Sequence, residues 1–139
     1  MTPQAARFPE KAEKLLAEAG TMLKVGLSDA AGRTADLAAY HAAQVFLFER
    51  LQKVLKTHSG VQSEFLRLTK DDPRVDPALR SFLSRAYNLK TIADYETGPG
   101  SEIALERAAQ AVEEGKRFVA NVAAVVSVPA SRPESGTQR

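Results

Sequence analysis

The stretch from Arg33 to Lys56 constrains this chain more than any other. It reads RTADLAAYHAAQVFLFERLQKVLK. Leu37, Ala38, Ala39, Tyr40, Ala42, Ala43, Val45, Phe46, Leu47 and Phe48 place apolar groups on nearly every face of a helix. A surface helix shows one apolar stripe, whereas a helix apolar all round must be surrounded by others. Asp36, His41, Gln44 and Glu49 interrupt the run too often for it to span a bilayer. Its alanines favour helix and let neighbours come close. The stretch predicts the central helix of a bundle. Chemistry is expected near its polar interruptions, or at the loop Thr57-His58-Ser59-Gly60 that ends it.

The flanking segments supply the surrounding helices. From Pro9 to about Leu27, Leu15, Leu16, Ala19, Met22 and Leu23 repeat at helical spacing, and Ser28-Asp29 offers an N-cap for the central helix. Val61, Phe65, Leu66 and Leu68 form a shorter periodic segment ending in the loop residues Lys70-Asp71-Asp72-Pro73. Asp76-Pro77 is a helix start, with Asp as the cap and Pro in the first turn. That fourth helix carries Leu79, Phe82, Leu83, Ala86 and Leu89 and runs to about Tyr95. After the Gly98-Pro99-Gly100 break, Ala104, Ala108, Ala111, Gly115, Phe118, Val122 and Val126 line a fifth. The class is all-α: a single-domain up-and-down bundle of four to five helices over residues 9–126, with 1–8 and 127–139 as flexible termini. Up-and-down alternation would bring the ends of helices two and four, and so His58 and Asp94, to one pole.

Charge and composition narrow the chemistry. The absence of cysteine excludes a disulfide framework, a thiolate zinc site and a thiol nucleophile. With only His41 and His58 as imidazoles, no metal site is expected. The N-terminus has no apolar signal region, so a cytoplasmic protein without membrane association is expected. Residues 50–90 hold nine Lys or Arg against four Asp or Glu, on a chain whose net charge is only +2. That excess reads either as a phosphate-facing surface or as an ordinary solvated face.

Three pieces in order then carry a resemblance: Ala39-Tyr40-His41-Ala42-Ala43, Lys56-Thr57-His58-Ser59-Gly60-Val61, and Ala93-Asp94-Tyr95. Together they resemble the HEPN (higher eukaryotes and prokaryotes nucleotide-binding) family, in its small stand-alone prokaryotic branch. The resemblance implies a homodimeric helical bundle with no cofactor. It also implies a nucleotide- or RNA-binding component of a toxin–antitoxin-like pair, acting with a nucleotidyltransferase partner. Many such proteins are metal-independent RNases with an Arg followed, after four to six residues, by a His. Here seven residues separate Arg33 from His41 and Arg50 from His58, and the corresponding place reads Lys90-Thr91-Ile92-Ala93-Asp94-Tyr95. The departure points away from an enzyme. The alternative is an RNase with a non-standard site including His58.

His58 is accordingly the candidate catalytic residue, since an imidazole titrates near neutrality. Lys56, Thr57, Ser59, Asp94 and Tyr95 are the candidate ligand-binding residues, with free N–H groups at the helix start near Gly60 as a phosphate seat. Tyr40 and Tyr87 read as core rims.

Overall fold

Alanine on several sides of one helix sets the packing. The computed structural model describes residues 3–127 apart from 97 and 99, and places α2 at Ser28–Leu51. Ala31, Ala35, Ala38, Ala39, Ala42, Ala43, Phe46 and Leu47 are all buried, so α2 is the central helix. The described residues are helical with no strand. Phe46, Phe65, Phe118 and Phe82 form a row of rings with centroids 5.3, 5.4 and 5.6 Å apart, joining α2 to three other helices through the core.

α1 (Pro3–Lys24) begins before Pro9, the expected start, and carries that proline inside it. It runs antiparallel to α2 through the turn at Gly26, whose φ of +80° suits glycine. Thr34 Oγ1 donates to Met22 Sδ near that turn. No side chain caps α2: Leu27 holds the cap position in place of the expected Ser28-Asp29, and Asp29, in the first turn, accepts a hydrogen bond from Ile103 N. The lead into α5 (Leu105–Ser127) is thereby tied to the start of α2. A Cβ at Gly32 would lie 2.9 Å from Ile103 Cδ1, so a larger residue there would require that side-chain end to shift.

The C-terminal end of α2 departs from the sequence reading. The helix stops at Leu51, not Lys56, because Gln52 turns left-handed with φ of 58°. Its side-chain amide donates to the carbonyls of Phe48 and Glu49, offsetting the backbone cost of that conformation. Residues 52–57 then return along α2, and Gln44 Nε2 donates to Leu55 O. α3 (His58–Thr69) therefore runs parallel to α2, with His58 beside Tyr40 and Phe65 beside Phe46. Alternation predicted the opposite direction. The linker, not the helix, makes the reversal.

Asp76-Pro77 opens a helix as expected, with Asp76 accepting from Ala78 N, but the first piece is a short 3-10 turn, Pro77–Leu79. α4 follows at Phe82–Tyr95. It is antiparallel to α2, since Asp94 meets Arg33 while Tyr87 shares His58 with Tyr40. The ends of α2 and α4 thus lie at opposite poles. Asn121 fastens α5 to the preceding loop, accepting from Asp76 N and donating to Arg74 O. Of the termini expected at 1–8 and 127–139, residues 3–8 and 127 are helical, and 1–2 and 128–139 lie outside the described residues, as do Thr97 and Pro99 of the turn before α5.

Candidate functional site

Thr57 caps α3: its hydroxyl accepts from Gly60 N at 3.0 Å. The helix consequently starts at His58, earlier than Gly60, and His58 emerges on the side facing α2 and α4. Its ring stacks on Tyr40 of α2 at 4.2 Å between centroids and 23° between planes. On α4, Tyr87 lies 4.5 Å away at 36°. Two tyrosines expected merely to rim the core hold the imidazole between them. Burial, with the nearby Lys90 ammonium, keeps the His58 pKa below the usual histidine value. The uncharged form of the ring is thereby favoured.

A second group of residues continues along the α2–α4 seam. Lys90 Nζ bonds Asp94 Oδ2 at 2.7 Å and lies 5.9 Å from the Tyr87 ring centroid and 6.0 Å from that of Tyr95. Arg33 reaches across from α2 to Asp94 Oδ1 at 3.6 Å and donates to Ala93 O. Asp94 thus ties two cations together, and its pairing with Lys90 is the four-residue helical pairing. Beneath them Asp36 is only 5% exposed. Burial raises its carboxyl to about 6, with Lys90 pulling it down and Asp94 pushing it up. Burial first, and Asp36 second, raise Tyr40 as well.

The candidate residues divide between these positions. His58 lies in the seam, and Asp94 and Tyr95 stand at its other end; Tyr95 is 72% exposed. Between Tyr87 and Tyr95 the α4 axis rises about 12 Å, with Lys90 intervening. Lys56 and Ser59 are exposed beside the start of α3, and Thr57 is occupied as its cap. The sequence reading missed Asp36, Tyr40, Tyr87 and Lys90 as one group. The signal was present in the four-residue step from Asp36 to Tyr40 and the helical spacing of Tyr87, Lys90 and Asp94. The antiparallel pairing of α2 with α4 was needed to join them.

Four of the nine cations of residues 50–90 are engaged in the fold. Arg67 pairs with Glu64, Arg74 with Asp72 and Arg85 with Glu114. Arg80 donates to Leu66 O and to the buried Thr69 hydroxyl. These four cations are braces, and Lys90 is the cation of that segment that pairs with Asp94 in the seam.

A separate apolar pocket of about 310 Å³ opens beneath the returning linker, lined by Val45, Phe48, Val54, Leu55 and Val61 with His41 and Gln44. Among the described residues no set of three or more His, Cys, Asp or Glu is placed to hold a metal, and no helix is long and apolar enough to cross a membrane.

A comparison with curated proteins found no match. The family model described as HEPN domain matches residues 5–124, a span that takes in every helix that builds the seam. With that match over most of its length, the chain belongs to the HEPN domain family.

Proposed function

We propose that this protein binds single-stranded RNA, or a nucleotide, along the α2–α4 seam. The observation that carries this reading is the position of Lys90, with its ammonium between the rings of Tyr87 and Tyr95 and His58 against the far side of Tyr87. Alternating rings and cations are what a nucleic-acid strand engages, bases on the rings and phosphates on the cations. Arg33 and Lys90 are 44% and 30% exposed in their side chains, so both are reachable. The roughly 12 Å of helix between Tyr87 and Tyr95 is longer than one nucleotide covers comfortably, which favours an oligonucleotide.

Fluorescence anisotropy with a labelled single-stranded oligoribonucleotide tests this directly. Binding should weaken as salt rises, through screening and counterion release. Lys90→Ala and Tyr95→Ala should each weaken it while leaving the helical signal unchanged, because both side chains lie outside the core. Undiminished affinity in both variants would place the contact elsewhere.

The same reading makes the protein a homodimer and one half of a toxin–antitoxin-like pair acting with a nucleotidyltransferase protein. Its support is the family membership and, for the dimer, the pocket-bearing face of α2. Co-expression with a nucleotidyltransferase encoded beside it, followed by affinity purification of the complex, tests the pairing. Failure to co-purify under conditions where both fold would remove it.

A second reading, metal-independent RNA cleavage, is favoured by the neutral state of His58. A neutral imidazole can take the proton of a ribose 2′-hydroxyl as that oxygen attacks the adjacent phosphorus; the P–O5′ bond breaks to leave a 2′,3′-cyclic phosphate, the imidazolium returns its proton to the departing 5′-oxygen, and Lys90 would stabilise the charge that develops on the phosphate. Cleavage in the presence of a chelator that His58→Gln abolishes would support it. Intact RNA after prolonged incubation would leave binding alone.

A further inference from the structure

Asp36 has no role in holding the fold together that the structure reveals. Its side chain sits among the most enclosed polar groups, 5% exposed, yet its carboxyl makes no hydrogen bond and no close ion pair among the described residues. The two cations nearest in the seam, Lys90 and Arg33, are both committed to Asp94. A buried carboxyl without a donor is costly, and hydrophobic packing would serve better if packing were its only purpose. The charges it feels, Lys90 and Asp94, belong to the seam, and its own charge acts on Tyr40 there. Three residues after Arg33 and four before Tyr40, Asp36 lies on the same face of α2 as these two seam residues.

We infer that Asp36 accepts a hydrogen bond from a ribose 2′-hydroxyl, so that the seam selects ribonucleotides over deoxyribonucleotides. This rests on the reading of the seam as a nucleic-acid-binding face. The arrangement is layered. Arg33 and Lys90 form the outer, more exposed tier, suited to a phosphate, and Asp36 forms the inner tier, lacking only a donor. A ligand that satisfies both must carry an uncharged donor next to a phosphate. A second phosphate at the inner tier would be repelled by Asp36 and Asp94 together. The 2′-hydroxyl adjacent to a 3′-phosphodiester is that combination, and it is the group DNA lacks. Carboxylates commonly read ribose hydroxyls in this way in nucleotide sites.

The test compares three single-stranded oligonucleotides of one sequence by anisotropy, slightly above neutral pH: an oligouridylate, its 2′-deoxy counterpart and its 2′-fluoro counterpart. Fluorine is small but donates no hydrogen bond, so it separates donation from fit. The full-length protein should bind the ribo form roughly 10- to 100-fold more tightly than either other form, the usual weight of a hydrogen bond to a charged group. Asp36→Asn and Asp36→Ala should close that gap, with thermal melting showing that each variant is folded. Equal binding of all three oligonucleotides by the unmodified protein would overturn the role of Asp36 while leaving the seam as the binding face. A gap that persists in folded Asp36→Ala would overturn it equally. If none of the three binds, the nucleic-acid-binding reading fails, and this inference falls with it.

Discussion

The His58 imidazole lies flat on the Tyr40 ring, 4.2 Å between centroids, although the two residues belong to different helices and the chain reverses between them. Tyr87 closes the other side from a third helix. Removing solvent from the ring favours the uncharged form, and the Lys90 ammonium adds to that preference. NMR titration of the His58 ring should give a midpoint below the ordinary histidine value. Lys90→Met should raise it toward that value without restoring it fully, because burial is the larger cause. A midpoint at or above the ordinary value would show that the tyrosines do not enclose the ring.

Asp36 sets a pH dependence of stability with a definite sign. Its folded-state pKa of about 6 lies above the ordinary carboxylate value, because burial disfavours the charged form. The resulting stability is fully present below the unfolded value and is lost as pH rises through about 6. The lowered His41 and His58 values act in the opposite direction, removing stability as pH falls. Comparing the protein with Asp36→Asn cancels that histidine contribution. The variant should gain roughly 2–3 kcal/mol relative to the parent between pH 4 and pH 7, as the size of the shift implies. Urea midpoints measured across this range check it, and parallel curves would refute the burial of a charged Asp36.

Phe46 and Phe48 should differ sharply on truncation. Phe46 is 1% exposed and meets Phe65 edge-on, whereas Phe48 is half-buried at the mouth of the apolar pocket. Phe46→Ala should cost roughly 3–5 kcal/mol, a large part of the stability of a domain this size. Phe48→Ala should cost clearly less in dilute solution. Similar losses for both in chemical denaturation would contradict the placing of the ring row through the core.

Assembly gives a further expected outcome. Leu37 on α2 is 53% exposed, and Val54, on the returning linker that lines the pocket, is 63% exposed. By contrast Val119 on α5 is buried at 2%. A homodimer should therefore use α2 and the returning linker, in the two-fold arrangement that hides such a face most simply. Light scattering should give a dimer mass, and Phe48→Glu should give a folded monomer. A monomer mass at high protein concentration would exclude this assembly.

Thr57 provides a control on the site. Its hydroxyl is spent on Gly60 N, so Thr57→Ala should lose about 1 kcal/mol, the usual effect of an N-cap. Its direct effect on RNA affinity should be small beside that of Lys90→Ala. A large affinity loss with unchanged stability would mean that the hydroxyl meets the ligand.

The local chemistry of the sequence determined the all-α class, the central place of the alanine-rich helix and the Asp76-Pro77 start. Each follows from propensity, periodicity or capping within a few residues of chain. His58 was visible as the one imidazole beside a helix end, but its setting was not. The left-handed turn at Gln52 sends residues 52–57 back along α2, and that path alone brings His58 to Tyr40. Likewise, Asp36 read as one polar break in an apolar run. Its burial, and its proximity to Lys90 and Asp94, arise from the approach of α4 antiparallel to α2. Helices follow from short-range preferences, whereas the side chains that meet between them depend on the route of the connections and the choice of buried face. Those are settled only when the whole core packs.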